Sequence, residues 1–283
     1  MNRLILTMLA LVLLAPPIIA AQDVDLNVPR VLPIHNSVWL QELTWLEVRD
    51  LLAEGKRTVL IPAGGIEQNG PYLSLDKHQI VLRATMDVIA RKMGDALVAP
   101  SIQFAPEGNF EPKTSHMRYP GTISMTQETF RAILTDVATS MKLHGFENIV
   151  FLGDSGGDQA GMAAVAETLS KAWAGSGTQI IHVPEYYDNE RVSQWLEQQG
   201  IHEVSEGFHD DLHYTATMML IDPVSVRADV RRGADLFRIN GVELESVAKT
   251  QELGRRMVEY QASYTIEAIR RRLGGGSATN ASR

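Results

Sequence analysis

Apolar positions along this chain alternate between two rhythms. Short apolar and β-branched runs at residues 58–62, 97–100, 148–152 and 179–183 predict buried strands. Longer stretches repeat their apolar residues at helical spacing. In residues 40–54 these are Trp45, Val48, Leu51 and Leu52, and in 78–93 they are Ile80, Val81, Ala84, Val88 and Ile89. Residues 126–144, 158–173, 192–199 and 244–273 predict further helices, while 210–221 fits helix or strand equally well. Thr44 followed by Glu47 forms a capping box at the first helix. Strands alternating with helices of this length predict a three-layer α/β/α sandwich with a mainly parallel sheet, as one domain over residues 22–273.

The N-terminus changes the picture. Arg3 precedes an apolar run over residues 4–15 and then Pro16-Pro17-Ile18-Ile19-Ala20-Ala21, the pattern of a secretory signal. The run is nearly long enough for a membrane anchor, but the prolines and the alanine pair favour cleavage after Ala20 or Ala21. The expected location is periplasmic or secreted, without stable membrane association after cleavage. The chain contains no cysteine, which excludes disulfides and thiolate chemistry and suits a bacterial periplasm. A net charge of −8 argues against a nucleic-acid partner. The Gly/Ser-containing tail at 274–283 is expected to be disordered.

Three polar clusters follow predicted strands or stand in loops. The first is Glu67, Asn69 and His78, the second Asp154, Ser155 and Asp158, and the third His209, Asp210, Asp211 and His213. Parallel strands bring the first two to one sheet edge, where α/β proteins bind ligands. Carboxylates and imidazoles meeting there suit Zn²⁺ or Mn²⁺ and metal-assisted hydrolysis. A lone His or Asp at such a place is as readily a cap or turn residue. The loop at 104–121, carrying Glu107, Asn109, His116 and Arg118, has the length of a functional loop. Gly153-Asp154-Ser155-Gly156-Gly157 also fits G-x-S-x-G between strand and helix, which makes Ser155 a candidate nucleophile of a serine hydrolase. Against it, the candidate histidines follow closely, none lies beyond His213, and no His-Gly-Gly motif stands upstream.

Four motifs in order resemble the creatininase (creatinine amidohydrolase) family across residues 40–273. They are Glu67-Gln68-Asn69-Gly70-Pro71-Tyr72-Leu73-Ser74, where the family has Glu-Gln-His-Gly-Pro-His-Leu-Pro, and His116-Met117-Arg118-Tyr119-Pro120-Gly121-Thr122-Ile123-Ser124, where it has His-x-x-Phe-Pro-Gly-Thr-Ile-Ser. His144-Gly145-Phe146 leads to Gly153-Asp154-Ser155-Gly156-Gly157-Asp158, and His209-Asp210-Asp211-Leu212-His213-Tyr214-Thr215-Ala216 closes the set. The resemblance implies a homo-oligomeric, two-metal amidohydrolase acting on non-peptide C–N bonds of small molecules, often cyclic amides. Of the family's metal positions only Glu67 is kept. Asn69, His78, Ser155 and Tyr214 replace a His, an Asp, a His and a Glu, and Lys77-His78 stands in the place of Thr-Asp. These departures imply a rebuilt site with one metal. Glu67, His78 and Asp154 are its expected ligands, with Asp211 or His213 as the candidates for an additional one, and His209 the proton relay. Asn69, His116, Asp158, Asp211 and His213 are expected to touch substrate. The other reading is a non-catalytic relative that binds a small molecule.

Overall fold

Four parallel strands carry the fold: β1 (Thr58–Ala63), β2 (Ala96–Val98), β3 (Asn148–Gly153) and β4 (Gln179–His182), in the order β2-β1-β3-β4. The computed structural model describes residues 25–274. Residues up to Pro33 form one compact unit, of which 25–33 are described and hold no helix or strand, and Ile34 onward forms the other. The expected export signal at 1–21 and the tail beyond 274 lie outside the described residues.

Alternation along the strands builds two cores. Val59, Ile61 and Ala63 of β1 and Ile149 and Phe151 of β3 face one layer with Phe130 and Leu134 of α3 (Gln127–Leu143) and Met162 of α4 (Gly156–Ala172). Leu60, Val150 and Leu152 face the other, with Leu82, Met86 and Ile89 of α2 (Lys77–Met93) and Ala262 and Ile269 of α8 (Val247–Gly274). Side chains at period two point to opposite faces, so a sheet buried on both sides reads as a continuous apolar run. The expected three-layer architecture is the observed one.

Local chemistry sets the helix starts. Residues 40–54 divide into a 3₁₀ turn and α1 (Trp45–Ala53), because the Thr44 capping box fixes where the α-helix begins. The segment at 210–221 resolves as α6 (Leu212–Ile221). Leu212, Tyr214, Ala216, Met218 and Met219 are all buried, so the helix has no polar face and its sequence shows no helical stripe. α5 (Asn189–Gln198), α7 (Ala228–Gly233) and the hairpin β5 (Arg238–Ile239) with β6 (Val242–Glu243) surround it; α7 and the hairpin have no counterpart in the sequence pattern. Among the described residues no helix is long and apolar enough to cross a membrane.

Phe130 is fully buried where α3 meets the sheet. Phe130→Ala is expected to cost about 3–5 kcal/mol, read as a lower midpoint in urea unfolding at unchanged slope.

Candidate metal centre

The parallel pairing of β1 and β3 ends with Ala63 opposite Gly153, so the loops that leave the two strands begin side by side. The Asp154 amide donates to the Ala63 carbonyl at 2.9 Å and holds that junction together. From β1 the chain turns through Gly64 and Gly65 to Glu67 and reaches His78 in the first turn of α2. A Cβ on Gly65 would come within 2.0 Å of Glu107 Oε1, so glycine is what lets the long loop lie against Glu67. That loop is pinned by the motif at 116–124. Ile123 donates to the Ile66 carbonyl at 2.9 Å, Ser124 Oγ accepts from Glu107 N at 2.9 Å and donates to Gly108 O at 2.8 Å.

The buried half of the site is an ion-paired network. His78 donates from Nδ1 to Asp154 Oδ2 at 2.7 Å and from Nε2 to Glu67 Oε1 at 2.8 Å. A ring that donates from both nitrogens is an imidazolium. Burial and neighbouring Lys77 push His78 down, but the hydrogen bonds to Asp154 and Glu67 prevail and hold it at about 9. Lys77 Nζ lies 3.2 Å from the same Glu67 oxygen and over the Tyr214 ring. Burial raises Glu67, yet the hydrogen bond and charge of His78 and the charge of Lys77 outweigh it and hold the carboxyl far below the usual carboxylate range. Glu107 behaves oppositely. Its own burial and the adjacent Glu67 charge push it up to about 8.

The open half faces a cavity of about 350 Å³ whose walls include Glu67, Glu107, His116, Ser155, Tyr187 and His209. Glu67, His116 and His209 each offer a ligand atom, all within 4.8 Å of one another. His116 Nε2 stands 3.3 Å from Glu67 Oε2. Ligands about 2.1 Å from one ion lie roughly 3–4 Å apart, so a small inward movement accommodates a cation. The donors suit it chemically. Burial lowers both histidines, His209 to about 4 with Lys77 adding to the effect, so both rings are neutral near pH 7. His209 Nδ1 donates to the Gln68 carbonyl at 3.3 Å and stands 3.5 Å from Glu67 Oε1, which sets the ring against the carboxylate. Two left-handed residues set these rings: Ser115, just before His116, and His209 itself, with φ of 47° and 63°. Backbone strain of this kind concentrates at functional sites.

The structure brings some of the expected site residues to this cavity and places others elsewhere. His78 and Asp154, expected as ligands, are bonded to each other and do not line the cavity. His116, expected to touch substrate, and His209, expected as the proton relay, join Glu67 in the candidate ligand set. Asn69 is buried and clamps its own loop, donating to Glu67 O at 2.8 Å and Ser74 O at 3.1 Å. Ser155 and Asp158 form the capping box of α4. Ser155 Oγ donates to Glu107 Oε1 at 3.0 Å, and none of its hydrogen bonds among the described residues goes to a histidine. Asp211 and His213 line a different cavity of about 210 Å³, with Glu203 and Asn240. Glu107 had no role in the sequence reading beyond its place in the long loop, and the length of that loop was the signal that pointed to it.

The family model described as creatinine amidohydrolase matches residues 41–269, and the chain belongs to the creatininase family. It is 27% identical over 119 residues to a creatinine amidohydrolase of Pseudomonas putida, covering 42% of this chain and 45% of that protein. It is 28% identical over 132 residues to a mycofactocin precursor peptide peptidase of Mycolicibacterium smegmatis, covering 45% and 51%. The chain thus spans about half the length of these curated relatives. Among solved structures, one described as a manganese creatininase superposes with a TM-score of 0.62 at 20% identity, covering 83% of this chain and 98% of that one. A mutant creatininase of Zn-Zn type gives 0.61 at 20% identity, covering 84% and 99%. At such identities the likeness is one of fold.

Replacing His78 by alanine leaves two buried carboxylates without their shared donor. His78→Ala is expected to destabilise the protein by on the order of 3 kcal/mol at pH 6. Because the folded pKa of His78, about 9, lies above its unfolded value, this stabilisation is complete below the unfolded pKa of about 6.5 and fades as pH rises through 9. Urea midpoints of wild type and variant should therefore converge between pH 6 and pH 10; a constant gap would show that His78 is not the titrating group.

Proposed function

We propose that this protein is a metal-dependent amidohydrolase that cleaves a C–N bond in a small amide or cyclic amide. The observation that carries the reading is the convergence of Glu67, His116 and His209 on one cavity beyond the carboxyl ends of parallel strands. Manganese or zinc suits that set of one carboxylate and two neutral imidazoles. When bound, the ion supplies Lewis acidity to the substrate carbonyl and makes a water at the site a better nucleophile.

The chain's own side chains do the rest. Glu67 stays ionised because His78 and Lys77 hold its inner oxygen. The His209 ring is fixed by its Nδ1 hydrogen bond to the Gln68 carbonyl. Glu107 keeps its carboxyl proton up to a pH of about 8, lies in the cavity wall and is the group placed to protonate the departing nitrogen. This moves the donor role away from His209, whose ring is unprotonated at neutral pH. The serine-hydrolase alternative has less support, since Ser155 Oγ is engaged with Glu107 and a helix start, and no histidine is hydrogen-bonded to it among the described residues.

Chelation with dipicolinate is expected to abolish hydrolysis of a cyclic-amide panel, and Mn²⁺ or Zn²⁺ to restore it. His116→Ala is expected to lose the metal, while Ser155→Ala keeps turnover within about tenfold of wild type. Chelator-resistant activity together with fluorophosphonate labelling of Ser155 would overturn the reading. Turnover restricted to short peptides would keep the metal chemistry and replace the substrate class.

Glu107 has its own signature. The turnover of the wild type is expected to fall as pH rises through about 8, where Glu107 loses its proton. Glu107→Gln is expected to lower kcat on the order of a hundredfold with metal content unchanged, and to remove that alkaline limb. An unaltered pH profile in the variant would assign the proton to another group.

A further inference from the structure

α2 begins with two basic side chains, Lys77, which burial lowers, and His78, and has no acidic residue in its first turn. Helix N-termini favour anions, and Asp76 stands at the N-cap, so two buried basic groups in the first turn are not there for the helix dipole. Lys77 is 0% and His78 1% exposed, and buried charges are costly unless closely paired. What they are paired with therefore defines their purpose.

Both converge on one oxygen. Glu67 Oε1 accepts from His78 Nε2 at 2.8 Å and has Lys77 Nζ at 3.2 Å, while His78 Nδ1 reaches Asp154 at 2.7 Å. The Tyr214 ring closes the far side, 4.3 Å from Nζ. Between Glu67 and Asp154, two carboxylates thus meet two basic donors. An ion about 2.1 Å from Oε1 on this side would overlap the donor nitrogens already there. The outer face of Glu67 remains, where Oε2 stands 3.3 Å from His116 Nε2 and Oε1 stands 3.5 Å from His209 Nδ1. Neither Lys77 nor His78 lines the open cavity, so this inner half is closed to exchange with solvent.

We infer that Lys77 and His78 are a built-in replacement for a second metal ion. They fill the space between Glu67 and Asp154, so the centre takes one divalent ion, at Glu67, His116 and His209, and no second ion behind it. The placement of the outer ion rests on the function proposed above; the closure of the inner position does not. Its consequence is a centre whose inner charge cannot be chelated away, so Glu67 stays oriented in metal-free protein.

The test is stoichiometry by equilibrium dialysis against Mn²⁺, with elemental quantification of the metal per chain. The full-length wild type is expected to bind one ion, and two ions would overturn the inference. Lys77→Thr combined with His78→Asp removes both basic groups and supplies a carboxylate, and is expected to raise the count by one; an unchanged count overturns it. On a His116→Ala, His209→Ala background the count should go from none to one when the same pair is exchanged. A wild type that binds no ion, with an exchanged pair that gains one, would sink the outer site and leave the inner assignment standing. If the exchanged pair is unfolded in chelator, circular dichroism should show it refolding at saturating Mn²⁺, since the ion then supplies what the two side chains supplied. Failure to refold would count against the replacement.

Discussion

The interaction on which the site depends is the His78 imidazolium held between Glu67 and Asp154. It joins three separate pieces of chain: the loop after β1, the first turn of α2 and the residue that follows β3. Each carboxylate alone would be an expensive burial, and the shared donor makes both tolerable. Lys77 adds to the same network from the neighbouring position. Removing any one member leaves a charge in a place where water cannot reach it, so the network holds together as a unit.

That network also sorts the site electrostatically. Its inner layer is ionic and sealed, whereas the outer layer, made of His116, His209 and Glu107, is uncharged near neutral pH. Neutral imidazoles are available as ligands, and a protonated carboxyl is available as a donor. The division arises because Glu67 is ionised by its inner partners and its charge then opposes a second one on Glu107. Glycines let the pieces approach this closely. A Cβ on Gly157 would come within 2.1 Å of the Pro106 carbonyl, just as one on Gly65 would strike Glu107.

Membership of the creatininase family accounts for the fold and for the place of the site, and less for its inventory. The family match covers residues 41–269, yet Lys77 and His78 stand where the resemblance leads one to expect ligands. A fold of this kind supports many chemistries at the same strand ends, because strand topology fixes position and loop residues fix reactivity.

Strand positions, the layered architecture and the starts of the main helices were legible in the sequence, because they depend on local patterning and on caps such as Thr44 with Glu47, whereas the strand order was not. The four strand runs lay where continuous apolar stretches put them, and Glu67, His116 and His209 were recognisable as polar residues in loops or clusters. Their grouping was not. Glu67 and His209 are far apart in the chain, and which nitrogen faces which oxygen depends on the left-handed backbone at Ser115 and His209. The helical state of Leu212–Ile221 was hidden because a helix buried on all sides has no amphipathic stripe. Above all, the sequence alone determined that carboxylates and imidazoles would meet at one sheet edge. Only the tertiary structure decided which of them would spend their donors on one another, as His78 and Asp154 do, and which would stay free to face a cavity, because pairing in a buried site is settled by distances that no local pattern encodes.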